Sequence, residues 1–279
     1  SAKKTIELLE ASKIYSEQSR TFDGAVAINI NVLKTLLTIV GPIPLPEYGL
    51  TIDQNNFLEE IQREVESGED NKAGEPKRIL KILTPLILEK LGGLTDEKKQ
   101  ELVLGMRDHF TRKDILLYFT DREMEGYLTR LGVAGDVYLL PEKNFTDYFA
   151  LAEANVGGGK TDTVIAQHIR LKATIASDGN VAHELTLTRT HNGKSTDDWW
   201  YRAQSKSYLK FFLAPDARLT YTSGGTLRTP PVRNYTALGY REDSDLRTVE
   251  ATREVEEVFS METFRESGKS VFGTWMATG

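Results

Sequence analysis

Helical spacing of apolar residues dominates the first half of the chain. After Pro76, apolar residues recur at intervals of three and four positions, at Leu80, Leu83, Ile87 and Leu91. Residues with this spacing lie on one face of an α-helix, and proline is well tolerated at a first helical position. The pattern predicts a helix that starts near Pro76 and buries this face.

Strand and capping signals flank this helix. Residues 21–30 and 114–120 contain short apolar runs bounded by polar residues, which predicts two strands. Asp53 and Thr95 can cap the helices that follow them, because their side chains accept hydrogen bonds from free backbone amides. Strands interleaved with helices predict a layered α/β unit over residues 1–140.

Two segments of this half have the composition of irregular structure. Residues 42–46 read Pro-Ile-Pro-Leu-Pro, and since proline cannot donate to a ladder we expect a stiff connection rather than a strand. Residues 67–75 are rich in glycine and charged or polar side chains, which predicts a mobile loop.

The second half changes to a period of two. Apolar and polar residues alternate over residues 169–175 and again over 181–188, on either side of the turn sequence Ser-Asp-Gly-Asn. This predicts a β-hairpin with Leu171, Ile175, Leu185 and Leu187 facing a core. Further apolar runs at residues 208–213, 218–222, 255–259 and 271–276 predict more strands. Residues 141–279 are therefore expected to form an antiparallel β-sandwich, so that the predicted class of the whole chain is α+β.

Composition excludes several function classes. The chain has 279 residues, with 35 Lys and Arg against 41 Asp and Glu, a net charge of -6. Sequence-independent nucleic-acid binding needs a concentrated positive field, so we expect no nucleic-acid partner. Cysteine is absent, which removes thiolate nucleophiles and disulfides. No apolar run approaches the roughly 20 residues that span a bilayer. The chain begins at Ser1 rather than Met, and we interpret it as part of a longer protein.

One motif resembles a phosphate-binding loop. Residues 154–161 read Ala-Asn-Val-Gly-Gly-Gly-Lys-Thr, which fits the relaxed pattern that ends in Gly-Lys-Thr. A true phosphate loop starts a helix, but here the chain soon enters the predicted hairpin. We therefore interpret the motif as a glycine-rich connection and expect no cofactor. The histidines His183 and His191 lie too far apart on one strand to be adjacent ligands, so no metal site is expected either.

Two clusters are candidate binding sites. Trp199, Trp200 and Tyr201 follow two aspartates, and flat aromatic rings beside carboxylates suit a glycan-binding surface. The alternative is an aromatic plug that closes one end of the sandwich. Lys77 and Arg78, with Arg63, are candidates for an anion site, because a helix start already favours an anion through its free amides. The alternative for these three is solvated surface charge.

Several stretches together resemble the bacterial domain of unknown function 4012, which is distantly similar to the LytR-CpsA-Psr phosphotransferases. They occur in the family's order along nearly the whole chain: residues 22–29, 32–43, 76–80, 114–119, 147–162, 198–199, 208–209, Pro215 and 271–275. The resemblance implies that residues 1–140 are an incomplete LytR-CpsA-Psr-like unit. It also implies that Asn155-x-Gly157-Gly158-x-Lys160 is a structural signature of the family.

The resemblance implies a place and two alternative functions. It puts the chain on the extracellular face of a bacterial cell envelope, as part of a membrane-anchored protein whose anchor lies outside this sequence. The favoured function is a non-catalytic binding or scaffold module with no catalytic residues, whose partner is cell-wall glycan or polyprenyl-pyrophosphate-linked glycan. The alternative is a phosphotransferase that moves lipid-linked glycan to the cell wall. Only Arg63, Lys77 and Arg78 remain as counterparts of that family's pyrophosphate-binding arginines.

Overall fold

Two compact units make up the chain. The computed structural model describes residues 2–141, 146–157, 159–228 and 234–279. Ser1–Asp136 form the first unit and Val137–Gly279 the second. Each combines helices with antiparallel strands, and the expected mixed α+β class is confirmed. Within the described ranges, no helix is both long enough and apolar enough to cross a bilayer.

The first unit is mainly helical. Its helices are α1 (Ala2–Ala11), α2 (Lys13–Ser16), α3 (Ile30–Val40), α4 (Phe57–Ser67), α5 (Glu69–Lys72), α6 (Arg78–Gly92), α7 (Asp96–Thr111) and α8 (Arg122–Leu131). Its strands are β1 (Gly24–Ile28), β2 (Ile43–Leu45), β3 (Leu50–Ile52) and β4 (Ile115–Phe119). They pair as two separate antiparallel ladders, β1 with β4 and β2 with β3.

The core of this unit lies between α3, α4, α6 and the β2–β3 ladder. It is formed by Leu37, Ile43, Leu45, Ile52, Phe57, Ile61, Ile79, Leu83 and Ile87. Helix α6 buries Leu83 and Ile87 as its spacing predicts, whereas Leu80 and Leu91 pack half-buried at the margin. Burial of each large aliphatic side chain contributes about 1.5–3 kcal/mol. The hydrophobic effect therefore fixes the position of α6 in the unit.

Both segments expected to be irregular turn out to be structured. Residues 43–45 form β2, in which Pro44 lies opposite Thr51. A two-stranded ladder uses only one edge of each strand, so proline is tolerated there. Residues 67–75 contain α5 and the buried Asp70, which is 4% exposed. Tertiary contacts of Asp70 order a segment whose composition alone favours a loop.

The second unit is built on a five-stranded antiparallel sheet. Its elements are β5 (Phe149–Asn155), β6 (Ile165–Ile175), β7 (Val181–His191), α9 (Trp199–Arg202), β8 (Ser205–Leu213), α10 (Ser244–Ala251), β9 (Glu254–Glu256), β10 (Met261–Glu266) and β11 (Lys269–Thr278). The sheet order is β5-β8-β11-β10-β9, while β6 and β7 pair as a separate hairpin. Residues 218–222 do not form the strand that their apolar pattern predicts.

The hairpin packs on the sheet through β7. Leu185 and Leu187 contact a core cluster formed by Leu209, Phe211, Met261 and Phe272. Leu171 is 40% exposed and Ile175 74% exposed, so the prediction that they face a core is wrong. Strand β7 approaches β11 of the sheet, whereas β6 is exposed along nearly its whole length. The hairpin is thus a partial second layer over the sheet.

We predict that the core face of α6 is much more sensitive than its outer face. Leu83→Ala should destabilise the chain by about 2–5 kcal/mol, because it leaves a cavity at a fully buried position. Leu88→Ala, at a position of the same helix that is 61% exposed, should cost less than about 1 kcal/mol. Urea unfolding followed by circular dichroism measures both. Equal losses would contradict the assigned core.

Candidate functional site

The inward face of β7 contacts the apolar core in the middle of the strand and lines a polar cleft nearer its end. Leu185, Leu187 and Arg189 occupy alternate positions and therefore share one face of the strand. The two leucines pack on the core of the sheet, and Arg189 lines a cleft at the next inward position. The same face of the hairpin thus supplies both a packing surface and a charged group.

The cleft has a volume of about 300 Å³. It is lined by Glu153, Asn155, Asp162, Ile165, Gln167 and Arg189. Strand β5 contributes the first two, and a 3-10 helix at Thr161–Val164 contributes Asp162. The hairpin contributes the other three. Ile165 is the sole apolar side chain in this lining, so the cleft is suited to a polar ligand.

Arg189 is the most deeply buried charge in the cleft. Its side chain is 2% exposed, and its Nη2 lies 2.6 Å from Oε1 of Glu153. Nη2 also donates to Oγ of Ser205 over 3.4 Å. Among the described residues, its Nε and Nη1 have no hydrogen-bond partner. An unsatisfied buried donor costs about 1–3 kcal/mol, and more when charged. This side chain therefore gains from any acceptor that reaches it.

A serine on the neighbouring strand β8 fixes the carboxylate of Glu153. Its Oε1 accepts from Oγ of Ser207 over 2.7 Å as well as from Arg189. Ser205 and Ser207 are fully buried on β8, the strand that pairs with β5. Both of these bonds use Oε1, and the Glu153 side chain is 26% exposed. One oxygen of this carboxylate is thus structural, while the other remains as an acceptor.

The loop that resembles a phosphate loop is closed by Asn155. Its Nδ2 donates to the carbonyl oxygen of Gly159 over 3.1 Å, to Oγ1 of Thr161 over 3.4 Å, and to Oδ1 of Asp162 over 3.1 Å. A Cβ at Gly159 would lie 2.8 Å from the carbonyl oxygen of Trp200, so this position requires glycine. The next element is a 3-10 helix of four residues with Thr161 fully buried. The loop is therefore built to position Asp162.

The three candidate aromatic residues have different surroundings. Trp200 is 3% exposed, and Tyr201 is half-buried. Trp199 is 54% exposed and meets the Trp200 ring edge-on at 5.8 Å between centroids. Helix α9, which carries all three, packs against the 3-10 helix that carries Asp162. Trp200 acts as a plug, and Trp199 retains a ring face for a ligand.

The candidate anion-binding residues are opposed by carboxylates of the chain itself. Arg63 pairs with Glu59 and Glu60, and Arg78 pairs with Glu47 and Asp70. The two arginines share none of these partners. Lys77 is exposed at the start of α6. Each guanidinium thus faces two carboxylates, which leaves a locally negative field that disfavours an added anion.

Asp70 already occupies the anion position at the start of α6. Its Oδ2 accepts from the backbone N of Ile79 over 2.9 Å and from Oη of Tyr48 over 2.6 Å. Burial alone raises the pKa of Asp70, but hydrogen bonds from Tyr48, Arg78 and Ile79 outweigh it, and the pKa lies below its ordinary value. The pKa of Tyr48 is raised to about 12, mainly by burial of its hydroxyl and next by its hydrogen bond to Asp70.

The first unit contains a second polar cluster, around His109, that the sequence pattern did not predict. Nδ1 of His109 lies 2.8 Å from Oδ2 of Asp114, and Nε2 lies 2.8 Å from Oγ1 of Thr35. The hydrogen bond to His109 is the largest cause of the lowered pKa of Asp114. An ionised Asp114 can only accept, so Nδ1 of His109 donates to it. His109 is buried, and its hydrogen bond to Thr35 joins α7 to α3.

Signals for the cleft were present in the sequence but indirect. Arg189 is the first charged residue on the inward parity of β7, after Val181, His183, Leu185 and Leu187. A charge at that position predicts a buried partner, although the partner Glu153 lies on a different strand. Across the described residues, no three His, Asp or Glu side chains come together as a metal site.

We predict that Asp70 stabilises the first unit in a pH-dependent way. Asp70→Ala should cost about 1–3 kcal/mol at pH 7, since the amide of Ile79 and the hydroxyl of Tyr48 lose their acceptor. The folded pKa lies below the unfolded value of about 3.9, so this contribution is present above that pH and is lost as the pH falls. Urea unfolding from pH 7 to 3 should show the two proteins converging.

The neighbouring Glu69 supplies the control for this experiment. Its side chain is 85% exposed and pairs only at the surface with Lys72. Glu69→Ala should change stability by less than about 1 kcal/mol. An Asp70→Ala protein as stable as Glu69→Ala at pH 7 would contradict the role assigned to Asp70.

We predict different roles for the two adjacent tryptophans. Trp200→Ala should destabilise the second unit by about 3–5 kcal/mol, because it empties a buried site. Trp199→Ala should cost no more than about 1.5 kcal/mol, the contribution of an edge-on ring contact. Urea unfolding followed by the fluorescence of the remaining tryptophans measures both. A larger loss of stability for Trp199→Ala than for Trp200→Ala would contradict these two roles.

Comparison with known proteins yields no match to this chain. No protein-family model, no curated protein and no solved structure matches its sequence or fold. The likeness to the domain of unknown function 4012 stays a prediction from the motifs.

Proposed function

We propose that the chain is a non-catalytic binding module that holds an uncharged glycan in the cleft of the second unit. The observation that carries the proposal is the lining itself, in which four polar side chains accompany the buried Arg189. Cell-wall glycan on the extracellular face of a bacterial envelope is the source that the motif resemblance favours. Lipid-linked glycan belongs to the same ligand class.

The chemistry of the lining matches sugar hydroxyls. Each hydroxyl both donates and accepts, and the cleft offers acceptors on Glu153 and Asp162 together with donors on Arg189 and Gln167. A neutral ligand satisfies both kinds of group without adding charge. Trp199, on the helix next to Asp162, offers a ring face on which a sugar can stack.

The phosphotransferase alternative has less support. It needs cations that neutralise a pyrophosphate, and charge neutralisation is the main catalytic contribution in phosphoryl transfer. Arg63 and Arg78 each face two carboxylates, and Asp70 fills the anion position at the start of α6. A pyrophosphate would have to displace these carboxylates before it could bind.

We predict that neutral tetrasaccharides bind to the full chain in a manner that depends on Gln167. Gln167 is exposed on β6 and lines the cleft, so Gln167→Ala removes a ligand contact without opening the core. Loss of one neutral hydrogen bond, about 0.5–1.5 kcal/mol, should lower affinity about two- to tenfold. Isothermal titration calorimetry with cellotetraose and chitotetraose measures the change.

His168→Ala is the matched control. His168 follows Gln167 on the same strand and points to the opposite face, so its loss should leave affinity unchanged. Absence of binding by both sugars at millimolar concentration would refute the proposal. Equal effects of the two substitutions would show that the sugar binds elsewhere.

A further inference from the structure

The cleft offers three kinds of contact close together. Arg189 lines the cleft, and its buried Nε and Nη1 lack partners among the described residues. Glu153 and Asp162 present carboxylate oxygens, and Ile165 presents the apolar contact. A sugar hydroxyl can use the donors and the acceptors, but it has no use for the apolar surface.

Charge restricts the ligand group further. Glu153 neutralises Arg189 over 2.6 Å, and Asp162 adds a second carboxylate to the lining. A ligand carboxylate or phosphate would be repelled by these two carboxylates. An ammonium group would be attracted by the two carboxylates, but it has no acceptor to offer and would leave the N–H groups of Arg189 unsatisfied. An uncharged group that both donates and accepts fits the set best.

We infer that the cleft recognises the N-acetyl group of an amino sugar. This inference rests on the proposed glycan binding and names the sugar class. The acetamido carbonyl accepts from Arg189, its N–H donates to a carboxylate of Glu153 or Asp162, and its methyl group packs on Ile165. One substituent thus uses all three kinds of contact, and Nε or Nη1 of Arg189 gains an acceptor that no described residue provides.

The test compares three tetrasaccharides with the same β-1,4 linkage on the full chain by calorimetry. Chitotetraose carries N-acetyl groups, cellotetraose carries hydroxyls at the same position, and the glucosamine tetramer carries free amines. Chitotetraose should bind about tenfold more tightly than cellotetraose, from one hydrogen bond and one buried methyl group. The glucosamine tetramer should bind no more tightly than cellotetraose.

Ile165→Thr tests the apolar contact. It should reduce the affinity for chitotetraose severalfold and leave the affinity for cellotetraose unchanged. Ile175→Thr is the matched control, since Ile175 lies on the same face of the same strand but at its far, exposed end. It should change neither affinity. Circular dichroism confirms that both variants are folded.

The outcomes separate the two proposals. Equal affinity of the parent chain for chitotetraose and cellotetraose, or tighter binding of the glucosamine tetramer, would overturn N-acetyl recognition and leave glycan binding standing. A preference for chitotetraose that survives Ile165→Thr would also overturn the assigned contact. Failure of all three sugars to bind would overturn glycan binding itself, and the inference with it.

Discussion

The guanidinium of Arg189 lies almost wholly out of water, and a charge in such a place is stable only when an opposite charge and hydrogen bonds replace the lost solvent. Glu153 supplies that charge over 2.6 Å, and Ser207 holds the carboxylate from the adjoining strand. This requirement ties β5, β7 and β8 to one another at the polar end of the hairpin. The apolar end closes on Leu185 and Leu187, while the polar end remains a cleft.

The first unit also contains a buried charge, but there the hydrogen-bond partners all come from the chain itself. Its buried charge is the carboxylate of Asp70, and partners within the chain satisfy it: Tyr48, Arg78 and the amide of Ile79. A site whose hydrogen bonds are all made has little to offer a ligand. Arg189 retains N–H groups without partners among the described residues, so a ligand gains more in the second unit.

Sequence patterns predicted local elements well where short-range physics decides them. The cap at Thr95 accepts the amide of Lys98 as its side-chain chemistry requires, and the buried face of α6 follows from helical spacing. Asp53 accepts the amides of Asn55 and Asn56, but the helix after it begins only at Phe57. Predictions failed where distant partners decide. Residues 67–75 are ordered by contacts of Asp70, and Leu171 is exposed because the sheet lies under β7 rather than under β6.

By itself, the sequence determined the mixed class of the chain, the β-hairpin and the shared face of Leu185 and Leu187, because each depends on neighbours within a few residues. It also provided the candidate residues at Trp199 and at the start of α6. Only the tertiary structure decided that Arg189 meets Glu153 and that Arg78 meets Asp70. Residues 36 and 8 positions apart meet only after the chain has folded, and the burial that strengthens each pair is a property of the packed molecule.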